Sequence, residues 1–457
     1  MTSHTPHAGG PVLRRLFAIA LAAWMAAPVA SAAAPAPPGA VVPPAAAAPV
    51  SIAKTNALMN AFKAGNYAAA FALLDDRMKA ALPPEKLQAT WENLVASLGP
   101  IVSWSFEAPT NNQGMEQRVG SLRFQRGEAK AMIVVDPKTG LVAGFGVRRP
   151  SPPATGHASY VDTTAFRAVE VKVGSEPLLL GATLTLPAGS GPFPAVVLVH
   201  GSGPQDRDET VGANRVFRDL AEGLSSSGIA VLRYDKRTKT YPNKMGPNPT
   251  VDDEVVLDAL AAVRVLAARP EVDPKRVFVI GHSLGAQLAP EIAVRAGNVA
   301  GVVLLAPPGR PPWDILLAQM RYLGAPEEQI DDIERKAAIL RQGKAPEGNL
   351  MGASGTYWKD WGSRDGIAMA RKLGKPILVL RGDRDYQIAD EDLAAWRLGL
   401  EGQKGATVQT LPHLNHLFVR GEGKPSPAEY ETPGHVDPSV IEMVRRFIAA
   451  TAPGAAR

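Results

Sequence analysis

The pentapeptide Gly281-His282-Ser283-Leu284-Gly285 constrains the fold more than any other feature of the chain. A largely apolar run, residues 276–280, precedes it, and a helix-like run, residues 286–294, follows it. This order predicts a strand, a sharp turn with serine at its apex, and then a helix. Glycines two positions before and after the serine remove side chains that would crowd such a turn. The helix would direct its free N–H groups and the positive end of its dipole toward Ser283.

Composition excludes several classes of function. The 457 residues are 46% hydrophobic and 20% charged, as in ordinary globular proteins, and the length allows several domains. The formal net charge is only +5, and the basic residues are interleaved with acidic ones, which argues against a nucleic-acid-binding surface. The absence of cysteine excludes disulfides, thiolate metal sites and a cysteine nucleophile. Neither a phosphate loop, a dinucleotide fingerprint nor a metal-ligand pattern is present, so we expect no cofactor and no metal.

The N-terminal residues predict export. Arg14-Arg15 precede an apolar run, residues 16–27, and Ala30-Ser31-Ala32 provides small residues at the spacing that signal peptidase requires. We therefore expect a signal peptide over residues 1–32, cleaved after Ala32, and a periplasmic or secreted protein without stable membrane insertion. The apolar run is short for a membrane span, although an uncleaved anchor is the alternative.

Two folded units are predicted after the signal peptide. Residues 33–50 are almost entirely Ala, Pro, Gly and Val, a composition typical of a linker. Residues 51–149 begin with helical periodicity and continue, after Pro100, with strand patterns and turns at Asn111-Asn112 and residues 137–140. Helices followed by an antiparallel sheet predict a small α+β domain.

Residues 160–452 alternate strand and helix patterns to the end of the chain. Several strand patterns are continuous apolar runs, as expected of a mostly parallel, doubly wound sheet covered by helices on both faces. The class is therefore α/β. Residues 308–372 interrupt the alternation and predict a helical cap insertion, whose aromatic residues either shape a substrate pocket or form the insertion's own core. These aromatic residues are Trp313, Tyr322, Tyr357, Trp358 and Trp361.

A serine nucleophile needs a base and an acid that orients the base. The acid is expected after a late strand, where Asp383 and Asp385 compete. We favour Asp385, because the G-x-x-D spacing lets the turn face the base. The base is expected after the last strand, where we favour His416 over His413. His435, in another polar loop, is a further candidate.

An oxyanion hole requires two N–H groups that converge on the developing negative charge. One is expected from Leu284, which follows the nucleophile, and the other from Ser202 in the glycine-rich segment 200–204 that ends an apolar strand. His282 adjoins Ser283 in sequence, so its side chain is expected to point away and to pack or hydrogen-bond beside the turn.

Five motifs in this order make residues of about 160 to 450 resemble α/β-hydrolases of the bacterial esterase and serine-aminopeptidase-like group. The motifs are 200–208 (HGSGPQDRD), 233–237 (RYDKR), 281–285 (GHSLG), 382–387 (GDRDYQ) and 414–418 (LNHLF). One departure is His413, where the family commonly has glycine. The resemblance implies a serine hydrolase that cleaves small carboxylic esters through an acyl-enzyme. The alternatives are a peptidase or amidase of the serine aminopeptidase type, and a non-enzymatic binding protein on a hydrolase scaffold.

Two further expectations concern charged residues within the motifs and the fold of the first unit. The charged clusters 206–208 and 235–237 follow adjacent strand ends, so they either pin the loops through salt bridges or bind a polar group of the substrate. In the first unit, residues 62–67 through 82–85 resemble a small cone-fold domain of unknown function, similar to nuclear transport factor, that is often found ahead of bacterial hydrolases.

Overall fold

The computed structural model of the protein describes residues 49–112, 114–148, 156–246 and 248–451. The predicted signal peptide and residues 33–48 of the predicted linker lie outside these ranges, so the export prediction is not tested by the structure. Within the described ranges, no helix has the length and apolar character needed to cross a membrane.

The first unit consists of helices followed by antiparallel strands, the order predicted from the sequence. Its helices are α1 (Val50–Lys63), α2 (Tyr67–Ala72), α3 (Asp76–Ala81) and α4 (Pro84–Leu98). Its strands are β1 (Ile101–Phe106), β2 (Thr110–Asn112), β3 (Met115–Phe124), β4 (Gly127–Asp136) and β5 (Leu141–Arg148). The strands are ordered β1-β3-β4-β5, and β2 pairs with β3.

An aromatic cluster packs the helices of this unit against its sheet. Phe62 of α1 stacks on Trp91 of α4 with ring centroids 4.1 Å apart, and Phe145 of β5 lies 5.3 Å from Phe62. Phe124 of β3 lies at a tilted angle to Trp91, with ring centroids 6.1 Å apart. These rings occupy the space between the two layers, so the interior of the unit is a packed core.

The predicted turn at Asn111-Asn112 is wrong in position. Both residues belong to β2, and Asn112 pairs with Met115 across a two-residue connection. The side chain of Asn111 accepts a hydrogen bond from the N–H of Gly114 at 3.0 Å. Asn111 therefore stabilises the turn from the adjacent strand. A turn predicted from the asparagines alone is for this reason placed too early in the chain.

The second unit opens with two strands and then alternates strands and helices. Its strands are β6 (Phe166–Val173), β7 (Leu180–Pro187), β8 (Phe193–Val199), β9 (Thr210–Val211), β10 (Asn214–Arg215), β11 (Ala230–Tyr234), β12 (Val272–His282), β13 (Val299–Leu305), β14 (Asn349–Leu350), β15 (Ala353–Ser354), β16 (Ile377–Gly382) and β17 (Ala406–Leu411). Its helices are α5 (Val216–Ser225), α6 (Arg237–Thr240), α7 (Leu257–Ala267), α8 (Leu284–Ala296), α9 (Pro312–Tyr322), α10 (Glu327–Arg341), α11 (Gly355–Gly362), α12 (Gly366–Leu373), α13 (Asp390–Gly399) and α14 (Pro438–Ala450). A π-helical turn, Asp252–Val256, leads into α7, and 3₁₀ turns lie at Pro242–Lys244 and Pro427–Glu431.

The main sheet has eight strands in the order β17-β16-β13-β12-β8-β11-β7-β6. The six strands from β17 to β11 are parallel, and β7 and β6 form an antiparallel edge. The predicted mostly parallel sheet is thereby confirmed. Because β8 lies between β11 and β12, the direction of winding changes there, and the loops after β8 and β12 meet at one edge of the sheet.

Alternate residues of the central strands supply two separate cores. On β8, Val197 and Val199 join the core with α7 and α8, whereas Val196 and Leu198 join the core with α5 and α14. All four side chains are fully buried. Burial on both faces explains why such strands read as continuous apolar runs in the sequence.

The region predicted as a cap insertion, residues 308–372, joins β13 to β16. Within it, α9 packs against α10 and α11, but α12 packs against α8 and α13 in the helical layer of the sheet. The separate part of the insertion therefore comprises α9 to α11 with the hairpin of β14 and β15. This boundary could not be read from the sequence, because α12 is amphipathic, as are the helices before it.

Candidate active site

Ser283 occupies the turn between β12 and α8, as the pentapeptide predicts. Its backbone has φ 53° and ψ −119°, a conformation that is rare for residues other than glycine and costs about 1–3 kcal/mol. The N–H of Ser283 donates to the carbonyl of Leu305 at the end of β13, at 2.8 Å. Ser283 is half-buried, although the residues on either side of it are buried. The fold thus presents the serine at the carboxyl edge of the sheet.

The two glycines of the motif are required by close backbone approach. A Cβ atom on Gly281 would lie 2.1 Å from the carbonyl oxygen of Gly285. One on Gly285 would lie 2.2 Å from the carbonyl oxygen of Val199, at the end of β8. Any side chain at either position would therefore displace backbone, so the steric need for glycine predicted from the sequence is confirmed.

The structure brings Asp385 and His416 together. Oδ2 of Asp385 lies 2.7 Å from Nδ1 of His416, and both side chains are buried. Oδ1 accepts hydrogen bonds from the N–H groups of Gln387 and Ile388 at 2.8 and 2.9 Å. With Nδ1 facing the carboxylate, Nε2 is the ring nitrogen left to accept a proton.

The alternative acid, Asp383, and the alternative histidines, His413 and His435, make other contacts. Oδ1 of Asp383 accepts a hydrogen bond from the backbone N–H of His413 at 2.7 Å. The side chain of His413 is exposed, and its φ of 66° places it in a tight turn. His435 contacts Asp219 of α5 at 3.1 Å. Among the described residues, His416 is the one candidate histidine whose ring contacts an acid that follows β16.

The loop that carries His416 rests on the residue before Ser283. Nε2 of His282 donates to the backbone carbonyl of His416 at 2.9 Å, and the two imidazole rings lie 4.7 Å apart. The end of β16 also lies against this loop. A Cβ on Gly382 would lie only 2.1 Å from the carbonyl oxygen of Leu414. The histidine loop is therefore fixed against both the turn at Ser283 and the strand that precedes Asp385.

The glycine-rich loop after β8 lies directly against the serine. A Cβ on Gly201 would lie 3.2 Å from Cβ of Ser283. The N–H of Gly201 donates to Oε1 of Glu209 at 2.7 Å, and its carbonyl accepts from Nζ of Lys236 at 2.7 Å. In the described part of the chain, the backbone N–H groups of Ser202 and Leu284 have no acceptor. Both remain available to a ligand.

His200, at the start of the same loop, is a structural residue. Its ring is buried beside Phe217 and Tyr234, at centroid distances of 4.9 and 5.2 Å. Burial lowers the pKa of His200 to about 4, so the imidazole is neutral near pH 7. Its Nε2–H then donates to the backbone carbonyl of Asp206 at 3.0 Å, which closes the loop.

Glu209 and His282 form a second acid–imidazole pair beneath the serine. Oε2 of Glu209 lies 3.1 Å from Nδ1 of His282 in an ion-pair contact, and both residues are buried. Burial opposes the charge on each. For His282 the Glu209 carboxylate outweighs burial and raises the pKa above its ordinary value. The facing imidazolium correspondingly holds the pKa of Glu209 below its ordinary value. Glu209 was not anticipated, because no local pattern marks it; its positive φ of 48° is visible only in the structure.

The charged clusters beside the site bind one another. Arg207 contacts Asp235 at 2.8 Å and Glu170 at 2.7 Å. Asp208 pairs with Arg233 at 2.9 Å. These pairs join the loop after β8 to the end of β11, so the structure favours salt bridges that pin the loops over contacts with a substrate.

The aromatic residues of the insertion divide into two groups. Trp313, Tyr357 and Trp358 are buried in the core that the insertion shares with the main sheet, and Trp361 packs half-buried against it, so the expected separate core of the insertion is wrong. Tyr322 is 37% exposed and stacks on Tyr386, the residue after Asp385, with centroids 5.5 Å apart. This stacking brings an aromatic side chain of the insertion next to the residue that follows the candidate acid.

The sequence profile described as the alpha/beta hydrolase family matches residues 196–430, which span the serine turn and the acid–histidine pair. The chain belongs to this family. The esterase EstD of Thermotoga maritima is 38% identical over 390 residues, covering 84% of this chain and 92% of that protein. The resemblance inferred from the five motifs, and the relationship to esterases, are thereby confirmed.

Two solved structures also align with the chain. Est1E from Butyrivibrio proteoclasticus is 18% identical with a TM-score of 0.43, covering 62% of this chain and 98% of that one. A puromycin-hydrolysing peptidase of Mycobacterium tuberculosis is 19% identical with a TM-score of 0.42, covering 77% of this chain and 48% of that one. None of these comparisons identifies the fold of the first unit, so its resemblance to the cone-fold domain stays a prediction.

The Glu209–His282 pair predicts a pH-dependent contribution to stability. Because folding raises the pKa of His282, protonated His282 stabilises the fold fully below pH 6.5, its ordinary pKa. This stabilisation is lost as pH rises through the folded pKa. Because folding lowers the pKa of Glu209, the ionised carboxylate stabilises the fold fully above pH 4.5, its ordinary pKa. This stabilisation is lost as pH falls through the folded pKa. We expect Glu209→Gln to lower the free energy of unfolding by about 3–5 kcal/mol at about pH 5.5, and by less at about pH 8.5.

Urea unfolding followed by circular dichroism at the two pH values measures this difference. Glu442→Gln is a suitable control, because Glu442 pairs with Arg445 on the surface of α14 and should have little effect at either pH. An equal loss for Glu209→Gln at both pH values would contradict the prediction, because it would show that His282 does not lose its charge between them.

Proposed function

We propose that the protein is a serine-dependent carboxylic ester hydrolase with Ser283 as nucleophile, His416 as general base and Asp385 as the orienting acid. The observation that carries this proposal is the 2.7 Å contact between Asp385 and Nδ1 of His416, beside a serine turn of the required shape. The similarity to an esterase over most of the chain supports an ester as the substrate class.

The proposed reaction proceeds through an acyl-enzyme. Oγ of Ser283 attacks the ester carbonyl while Nε2 of His416 takes its proton. Asp385 stabilises the imidazolium that forms, and the same imidazolium then donates the proton to the leaving alcohol. Water activated by His416 attacks the acyl-enzyme and releases the acid. Since a protonated imidazole cannot accept the serine proton, the rate should fall on acidification.

The oxyanion of the tetrahedral intermediate is assigned to the N–H groups of Ser202 and Leu284. Both are free of acceptors in the described residues, and Leu284 is the first residue of α8, where helix N–H groups are unpaired. Removing one such donor typically costs about 3–4 kcal/mol of transition-state stabilisation. The dipole of α8 adds a favourable field at the same place.

Replacing the nucleophile is the direct test of this assignment. We expect Ser283→Ala to abolish turnover of nitrophenyl acyl esters while leaving the circular dichroism spectrum unchanged. The native protein should be labelled at Ser283 by a fluorophosphonate, and the variant should not. Full activity in the variant would refute the assignment, and an unlabelled, inactive native protein would support the binding-protein alternative. Aminoacyl anilides assayed beside the esters would reveal a peptidase or amidase.

The chain offers matched controls for the other two members of the triad. We expect Asp385→Asn to lower kcat by about 10⁴-fold, because the imidazole would lose the acceptor that fixes its tautomer. Asp383→Asn should retain most activity, since its carbonyl oxygen can still accept from the N–H of His413. Likewise His416→Ala should be inactive and His413→Ala active. Steady-state kinetics decide between them, and equal losses within either pair would contradict the assignment.

We further propose that the mature protein is periplasmic or secreted, on the basis of residues 1–32 alone. The expected result is that the chain recovered from a bacterial periplasm or medium begins at Ala33. N-terminal sequencing of that material measures this, and a chain that retains residues 1–32 in the membrane fraction would show an uncleaved anchor instead.

A further inference from the structure

Each of the two peptide groups that flank Gly201 is held by a buried side chain. Oε1 of Glu209 accepts the N–H of Gly201, and Nζ of Lys236 donates to the carbonyl of Gly201, each at 2.7 Å. In a trans peptide, a carbonyl oxygen and the following N–H point in opposite directions. A lysine bound to the carbonyl of Gly201 therefore fixes the direction of the N–H of Ser202, on the side away from the lysine.

Lys236 is itself held firmly. Its side chain is only 2% exposed, and Nζ lies 2.5 Å from Oε1 of Glu254. Its backbone N–H donates to the carbonyl of Gln205 at 3.0 Å, so main chain and side chain of one residue both bind the loop after β8. A buried ammonium group requires such partners, because an unpaired one would be strongly destabilising. Because these partners occupy Lys236, it has little freedom to bind a substrate. Its contacts instead support the loop after β8.

The insertion reaches the same lysine through a third residue. The hydroxyl of Tyr357, in α11, donates to Oε2 of Glu254 at 2.5 Å. Burial, reinforced by the Glu254 charge, raises the pKa of Tyr357 well above its ordinary value, so the hydroxyl keeps the proton that it donates. A continuous buried chain of hydrogen bonds thus runs from Tyr357 through Glu254 and Lys236 to the carbonyl of Gly201.

We propose that Lys236 is a positioning residue for oxyanion stabilisation, held by Glu254 and by Tyr357 of the insertion. The proposal rests on the proposed function, in which the N–H of Ser202 binds the oxyanion. Lys236 acts on this N–H in two ways. It fixes the orientation of the peptide, and its charge polarises the carbonyl of Gly201, which makes the attached N–H a stronger donor. Because the oxyanion exists only in the transition state and intermediate, the effect belongs to kcat rather than to KM.

Lys236→Met tests this proposal, because methionine keeps the length and apolar stem of lysine but has no donor. We expect kcat for a nitrophenyl ester to fall roughly 10- to 100-fold, with KM changing less than about 3-fold. A trifluoromethyl ketone, which forms an oxyanion adduct with the serine, should lose affinity by a similar factor. The corresponding alcohol, which carries no oxyanion, should bind as before. Lys239→Met, an exposed lysine on α6, is the matched control and should behave as the native protein.

Rates are normalised to the fraction of sites that react with a fluorophosphonate, so that a loss of folded protein is not counted as a loss of kcat. If Lys236→Met does not fold, Tyr357→Phe and Glu254→Gln take its place. Each keeps the shape of the side chain and should lower kcat and ketone affinity about 3- to 10-fold.

Unchanged kcat and unchanged ketone affinity in folded Lys236→Met, or in both replacement variants, would overturn the proposal. A parallel loss of affinity for the ketone and the alcohol would also overturn it, because that pattern indicates general disruption of the pocket. Failure of the proposed function would look different. It would appear as activity in Ser283→Ala or as absence of labelling in the native protein, before any lysine variant is compared.

Discussion

The contact between the first turn of α8 and the end of β8 is the constraint on which the site depends. Gly285 lies so close to the carbonyl oxygens of Val199 and His200 that no side chain fits between them. This approach lets α8 begin directly beside the loop after β8, with Ser283 between the two. The strained conformation of Ser283 persists because the hydrogen bond to Leu305 and the packing of α8 fix both ends of the turn.

Buried charge around this contact is arranged in pairs that hold main-chain atoms. Glu209 and His282 together bind the N–H of Gly201 and the carbonyl of His416. Lys236, paired with Glu254, binds the carbonyl of Gly201. Each pair therefore links the loop after β8 to another part of the site. An uncompensated charge at these depths would be strongly destabilising, so the positions of the loops and the pairing of the charges depend on each other.

The motifs predicted the fold better than they predicted the contacts within the site. Periodicity located the strands of the main sheet and the helices between them, because alternation and apolar runs are local properties of the chain. The separate part of the insertion was less well defined, because α12 belongs to the layer of α8 although its sequence resembles a cap helix. The role of Glu209 was missed altogether. For Lys236, the charged cluster 235–237 predicted a salt bridge that pins the loops, but it predicted neither Glu254 as the partner nor the contact with Gly201. Their partners lie in other loops, and no spacing within the sequence connects them.

The sequence by itself determined the strand, serine turn and helix, the two glycines that make the turn possible, and the order of serine, acid and histidine along the chain. It left two acids and three histidines as alternatives, because each of them lies in a polar loop late in the chain. Only the tertiary structure decided that Asp385 contacts the ring of His416, whereas Asp383 binds the backbone of His413. The physical reason is that these contacts join the loops after β16 and β17, and their match depends on how the two strands pair in the sheet.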